Sequence, residues 1–225
     1  RRGFELGADG VGYTIEVEPE RTDEYLDRIF KLAKDHGKFV DVHDQARDLP
    51  FAPPMMAEKA RKFGMQGQVT CSHGFSLPYQ GREKILPVFD RMKEAGVALA
   101  CAPTGSVQER IGLPRSRGVL VSLITDNVGD SVVRAATADL VLTAYIGMRL
   151  LGAQTDEALE GVFDMITTCP AQAIGLKDYG LREGGVADLV LWDAQSVAQV
   201  LTSQSERALV FKNGRVVAQA GHCLW

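Results

Sequence analysis

The sequence predicts an α/β fold, a parallel sheet of barrel type wrapped by helical crossovers, and three observations carry that prediction. Apolar runs of strand length recur as Phe39-Val-Asp-Val-His43, Val69-Thr-Cys-Ser-His73 and Val119-Leu-Val-Ser-Leu-Ile-Thr-Asp126. Between them lie segments whose apolar residues repeat at helix spacing. Each of the three runs also closes on a polar residue, as strands do in α/β barrels, where the loops after the carboxyl ends build the site. Strands joined by helix-length crossovers pair most economically in parallel.

The elements follow in order. Residues 1–7 read as the end of a helix, so the chain looks like an internal start, and Gly10 to Glu16 is a short strand. Thr22 to His36 places Tyr25, Leu26, Ile29, Phe30, Leu32 and Ala33 at helix spacing, and Gly37 stops it. After the Phe39–His43 strand, Pro53 and Pro54 open a helix that Gly64 closes, and Gln68 to His73 is strand again. Arg82 to Ala95 is a helix, Val97 to Pro103 the next strand, and Val119 to Asp126 the fifth. Val132 to Leu151 reads as one long apolar helix, Thr155 to about Thr167 as another, and Pro170 opens a third after Thr168 or Cys169 as cap. From Leu181 the rhythm changes to short β runs, Asp188–Trp192, Ala208–Phe211 and Arg215–Ala218, with Lys212-Asn213-Gly214 as a hairpin turn. This divides the chain into a barrel part, residues 1–180, and a small antiparallel part, residues 181–225.

Composition narrows the function. The 225 residues are 45% hydrophobic and 24% charged with a net charge of -4, which fits a globular protein and argues against nucleic acid as partner, since phosphate binding needs a basic face. No apolar stretch is long enough to span a bilayer, the start has no signal-peptide pattern, and a cytoplasmic setting is expected. The four cysteines, at 71, 101, 169 and 223, form no C-x-x-C pair and are read as reduced.

His43, His73 and Asp126 are the candidate chemistry. A lone histidine at a strand end is commonly a hydrogen-bonded structural residue, but three strand ends agreeing is a different matter. Imidazole and carboxylate are the ligands that zinc or ferrous iron accepts. Asp126 has a competing reading as a helix N-cap, for which Asp130 or Ser131 is better placed. Asp41 and Cys71, two residues before the histidines, are expected on the inward face one layer deeper. His36 at a helix end and His222 in a terminal tail are given no catalytic role.

These residues resemble the amidohydrolase superfamily, in its cytosine deaminase and N-isopropylammelide amidohydrolase branch. The resemblance rests on Val40-Asp-Val-His-Asp44, Gly67-Gln-Val-Thr-Cys-Ser-His73, Ile124-Thr-Asp-Asn127, Gly184-Gly-Val-Ala-Asp-Leu-Val-Leu-Trp-Asp193 and Lys212-Asn-Gly-Arg215. It implies a TIM-type (β/α)8 barrel of which about strands four to eight are present, His43 ending the fifth, His73 the sixth and Asp126 the eighth, plus strands of a C-terminal β-sandwich. It implies one divalent metal ion, zinc first and iron second, with His43 and Asp126 as ligands. Asp126 would also deprotonate the attacking water, and His73 would polarise the substrate or shuttle a proton to the leaving amine. Thr104, Ser106 and Gln108 after the seventh strand, and Asn127 beside Asp126, are candidates for substrate binding, with ordinary loop polarity as the alternative.

Two departures qualify the resemblance. The family's proton-shuttling glutamate, three residues after the fifth-strand histidine, is replaced by Ala46, and Gln45 cannot transfer protons in its stead. That shifts the burden to His73 and Asp126 and makes unsubstituted cytosine a poorer candidate. The family's first-strand His-x-His pair is missing from these residues, as are strands one to three. Either a longer chain or a second polypeptide, a homo-oligomer included, would supply the rest of the barrel. The expected reaction is removal of an amino or alkylamino group from a small nitrogen heterocycle of pyrimidine or triazine type. The alternatives are hydrolysis of a cyclic amide, or a non-catalytic chain that needs a partner.

Overall fold

The alternation of strand and helix is realised with strand ends aligned on one rim. The computed structural model describes residues 2–15, 18–45, 47, 50–131 and 137–224. A short helix α1 (Arg2–Glu5) leads into β1 (Gly10–Thr14), α2 (Thr22–His36), β2 (Phe39–His43), α3 (Ala52–Lys62), β3 (Val69–Ser72), α4 (Arg82–Glu94), β4 (Val97–Cys101), α5 (Leu113–Ser116) and β5 (Val121–Leu123). The strands pair in chain order, all parallel.

Register explains the two faces. Rows such as Val42, Cys71, Leu99 and Val121 lie side by side and are buried in the core with Leu26 and Phe30 of α2, Met56 of α3 and Phe89 and Met92 of α4. The opposite face carries small and polar residues: Gly12, Asp41, Thr70 and Ala98 in one row, then Thr14, His43, Ser72, Ala100 and Ser122. Asp41 is exposed there. The sheet was expected to be buried on both faces, yet β2 alternates between buried Val40 and Val42 and more open neighbours. Helices cover one face only, and the other is the interior of a barrel that five strands do not close.

Several boundaries differ from expectation. The first strand ends at Thr14, and the expected Glu16 end lies outside the described residues. β5 is three residues rather than eight, because only β4 pairs with it; on its open side the Leu123 N–H donates to the Met165 carbonyl. The long helix is α6 (Leu140–Leu151), and its expected start, Val132–Ala136, lies outside the described residues. Asp139 caps it, not Asp130 or Ser131: the carboxylate accepts from the Val141 and Leu142 N–H groups. After α7 (Asp156–Asp164), α8 spans Thr168–Ala173, with Pro170 as its third residue rather than its opener. The first turn of a helix has no intrahelical use for its N–H groups, so proline is tolerated there.

The second sheet joins β6 (Leu189–Trp192), β7 (Arg207–Lys212), β8 (Arg215–Gln219) and β9 (His222–Cys223) in that order, antiparallel throughout. Asn213 and Gly214 take the positive φ of 49° and 75° that a tight hairpin needs. His222, expected in a loose tail, pairs with Gln219, and an unexpected helix α9 (Val197–Ser203) follows β6. Arg207 of β7 reaches back to Asp139 at 2.5 Å and lies 4.7 Å over the Trp192 ring, fastening this sheet to α6. Among the described residues no helix is long and apolar enough to cross a membrane.

Two measurements test this account. Gly96 has φ 59°, and a Cβ there would lie 2.5 Å from the Gly67 backbone nitrogen, whereas Gly37, φ 62°, has nothing within 4 Å. In urea unfolding, Gly96→Ala is expected to cost about 2–4 kcal/mol and Gly37→Ala only about 1 kcal/mol; equal losses would show that the Gly67 contact does not exist. Burial raises the Asp139 pKa, but Arg207 and the capping N–H groups outweigh it and hold the carboxyl below its ordinary 3.8. The folded pKa is the lower one, so its contribution is present above pH 3.8 and fades as pH falls through the folded value. Asp139→Ala therefore loses about 1–2 kcal/mol at neutral pH, and its gap from wild type narrows in acid.

Candidate active site

Two of the three predicted residues stand in a backbone conformation that non-glycine residues avoid. His73 follows β3 with φ 73° and Asp126 follows β5 with φ 61°. Left-handed backbone costs an L-residue about 1–2 kcal/mol and persists where surrounding contacts over-determine it. Its effect on His73 is geometric. Strand alternation stops at Ser72, so Ser72, not Cys71, shares the inner face with Asp41 and His43, and Ser72 Oγ donates to Asp41 Oδ1 at 2.7 Å. Cys71, expected beneath His73, faces the core between Val42 and Leu99.

The three candidates meet at one rim. The His43 and His73 rings lie edge to face with centroids 4.8 Å apart, and His73 Nδ1 is 3.8 Å from Asp126 Oδ2. That last distance is too long for a hydrogen bond but short for a charge interaction. His73 is 1% exposed and its Nδ1 is buried without a hydrogen-bond partner among the described residues. Gln45, set aside in the sequence because it cannot carry protons, places Nε2 3.2 Å from His73 Nε2. An amide nitrogen only donates, so His73 Nε2 accepts and the neutral ring carries its proton on Nδ1, towards Asp126. Burial lowers the His73 pKa; Asp126 opposes this, while His43 and Arg110 add to it. The ring is thus kept in its neutral form.

Residues with no sequence signal surround His73. Phe75 stacks on its ring at 5.5 Å and 6°, Arg110 in turn lies 4.1 Å over the Phe75 ring, and Cys101 Sγ contacts the His73 carbonyl at 3.2 Å. Burial pushes the Cys101 thiol up to about 12 and the Cys71 thiol well above its usual value, so neither is a thiolate at neutral pH. Of the predicted substrate contacts, Thr104, Ser106, Gln108 and Asn127 are all exposed. Thr104 is tied to the site through its carbonyl, which accepts from Arg110 Nη1. Asn127 N–H donates to Asp126 Oδ1 at 2.8 Å and its side-chain amide donates to Asp130, so it serves to orient Asp126. Among the described residues no hydrogen bond ties the Gln108 side chain to the three candidates. Ala46 lies outside the described residues.

The donor chemistry of His43, His73 and Asp126 fits a divalent metal, but their number and placement do not complete a site: among the described residues no group of three or more His, Cys, Asp or Glu is placed to hold an ion. They fit as part of a ligand set.

Comparison with known proteins places this arrangement. A model of the amidohydrolase family matches residues 2–218. N-isopropylammelide isopropyl amidohydrolase of Pseudomonas sp. (strain ADP) is 28% identical over 228 residues, covering 97% of this chain and 56% of that protein. The crystal structure of N-isopropylammelide isopropylaminohydrolase from Burkholderia multivorans ATCC 17616 superposes with TM-score 0.89 at 28% identity, covering 99% of this chain and 58% of the other. That of 5-methylcytosine deaminase from Klebsiella pneumoniae liganded with 5-fluorocytosine gives 0.86 at 25% identity, covering 100% and 59%. The chain thus spans less than two thirds of each of these proteins, and its five-stranded sheet is the matching portion of their barrel.

Gln45→Glu would set a carboxylate against His73 Nε2 and favour the protonated ring. An NMR pH titration of the His73 ring should show its midpoint move upward from the depressed wild-type value, and an unmoved midpoint would disprove the Gln45 contact.

Proposed function

The chain belongs to the amidohydrolase family, and on that premise we propose that it carries part of the active site of a metal-dependent hydrolase that removes an amino or alkylamino group from a nitrogen heterocycle of pyrimidine or triazine type. The observation that carries this reading is the meeting of His43, His73 and Asp126 at strand ends of one rim. Relatives whose names specify an N-alkylated triazine and a methylated cytosine support the substrate class. Residues 1–180 are the barrel part in this reading and 181–225 the accessory strands. His43 and Asp126 would hold the ion, zinc or alternatively iron, with further ligands supplied from outside these residues. Bound there, the ion would lower the pKa of water towards neutrality and so supply a nucleophile.

This chain's own groups do the rest. Asp126 is oriented by its left-handed backbone and by the Asn127 N–H, which supports a role in taking a proton from the attacking water. His73, neutral through burial, would take a proton at Nε2 once substrate displaces the Gln45 amide from it, and would then pass that proton to the leaving amine. With no glutamate three residues after His43, no other carboxylate is proposed for that transfer. Thr104, Gln108 and Asn127 are exposed on the loops after β4 and β5 and are proposed to contact substrate.

In the complete metal-loaded enzyme, His73→Asn should lower turnover of N-isopropylammelide or 5-methylcytosine at least about 100-fold with folding intact; an unchanged rate would refute the role of His73. A non-catalytic chain is the second reading, motivated by Ala46 in place of the family's glutamate and by the lack of a His-x-His pair in these residues. Metal analysis of the purified complete protein separates the two, because one tightly held zinc or iron per site, lost in His43→Ala and Asp126→Ala, is incompatible with a chain that has abandoned the chemistry.

A further inference from the structure

Resting on the role given to His73 above, we propose that Arg110 is a positioning residue that fixes His73 by its main chain and by its ring together. Arg110 is 0% exposed and sits in a π-helical turn, Gln108–Gly112, after β4. Among the described residues it has no carboxylate within ion-pair distance, so its burial is not explained as half of a salt bridge. Its donors go instead to main-chain carbonyls of two rim loops: Nε to His73 at 2.7 Å and Nη1 to Thr104 at 2.5 Å. The guanidinium carbon lies 4.1 Å from the Phe75 centroid, and Phe75 in turn stacks parallel to the His73 imidazole, 5.5 Å between centroids and 6° between planes.

The arrangement matches what His73 needs. A residue at φ 73° stays there only under constraint, and the carbonyl of that residue is gripped by Arg110 with help from Cys101 Sγ. The ring would still be free to turn about its side-chain bonds, and Phe75, held by the same guanidinium, limits that rotation on one side while Gln45 meets its Nε2 on the other. Lysine has neither the planar fork nor the stacking face, so arginine is the side chain that performs both tasks. Thr104, exposed on the next loop, is brought into register with His73 through the same group.

The test uses the complete enzyme loaded with zinc, with N-isopropylammelide as probe and His73→Asn as control. Arg110→Gln is expected to lower kcat about 10- to 100-fold while KM stays within about threefold, since a misplaced reacting group costs rate rather than binding. Arg110→Lys should recover part of that loss, and Phe75→Leu should lose kcat in the same sense. Independently of turnover, histidine side-chain NMR should show the His73 ring protons shifted upfield by the Phe75 face in wild type and moving towards the position of exposed His222 in Arg110→Gln and Phe75→Leu. Folded variants with wild-type kcat and unshifted His73 resonances would overturn the proposal, leaving Arg110 a packing element. If Arg110→Gln does not fold, Arg110→Lys and Phe75→Leu decide by the same two readouts. If His73→Asn itself turns the probe over normally, or wild type does not turn it over, the reading of His73 as a catalyst fails, and the resonances alone decide whether Arg110 positions it.

Discussion

The main chain turns left-handed at the ends of β3 and β5, and the rim depends on that turn. A strand that continued in β geometry past Ser72 would point residue 73 back into the alternation of the sheet, facing the helices as Cys71 does. At φ 73° the His73 side chain meets His43 and Asp126 instead, while its carbonyl turns inward to Arg110 and Cys101. Asp126 repeats the device two strands away, and its carboxylate is steadied by the amide N–H of its own neighbour. Strain of this kind clusters at sites where a side chain must stand out of register with the scaffold.

The sheet beneath supplies the other half of the arrangement. One face is packed with Val, Leu, Met and Phe side chains against α2, α3 and α4, and this packing holds the strand ends level. The inner face is lined by glycine, alanine, serine and threonine, with Asp41 and His43 as the large polar exceptions. Small residues leave room in a barrel interior for facing strands, and this chain matches only 58% of the Burkholderia multivorans structure, which fits an inner face left open here. Asp41 shows the consequence: exposed here in the row beneath His43, it accepts from Ser72, which stands beside His43.

Electrostatics at the rim favour neutral over charged partners. Buried Arg110 sits near His73 with no carboxylate within ion-pair distance among the described residues, Asp44 acting on it from further off, and its positive charge, with His43, reinforces burial in keeping the imidazole unprotonated. The acidic influence comes from Asp126 at 3.8 Å, on the side where the ring carries its proton. A metal ion joining His43 and Asp126 would strengthen the same bias, since added positive charge disfavours imidazolium further. The second sheet stands apart from this chemistry and is linked to the barrel helices through Asp139 and Arg207.

The order of strands and helices was legible in the residues, because apolar periodicity records which face of each segment is buried and glycine marks where helices stop. That His43, His73 and Asp126 share one rim was legible as well, since three apolar runs each closing on a polar residue agree with one another. The substitution of Ala46 and the lack of a His-x-His pair could be read directly, and so could the family. What needed the tertiary structure was where segments begin and meet: the start of α6 at the Asp139 cap; the register that sets Cys71 in the core between Val42 and Leu99; and the shell of Gln45, Phe75, Cys101 and Arg110 around His73. Periodicity reports burial along one element, whereas the contacts of His73 with Gln45, Cys101 and Arg110 join residues 28 to 37 positions apart, and only the folded chain decides which of them meet.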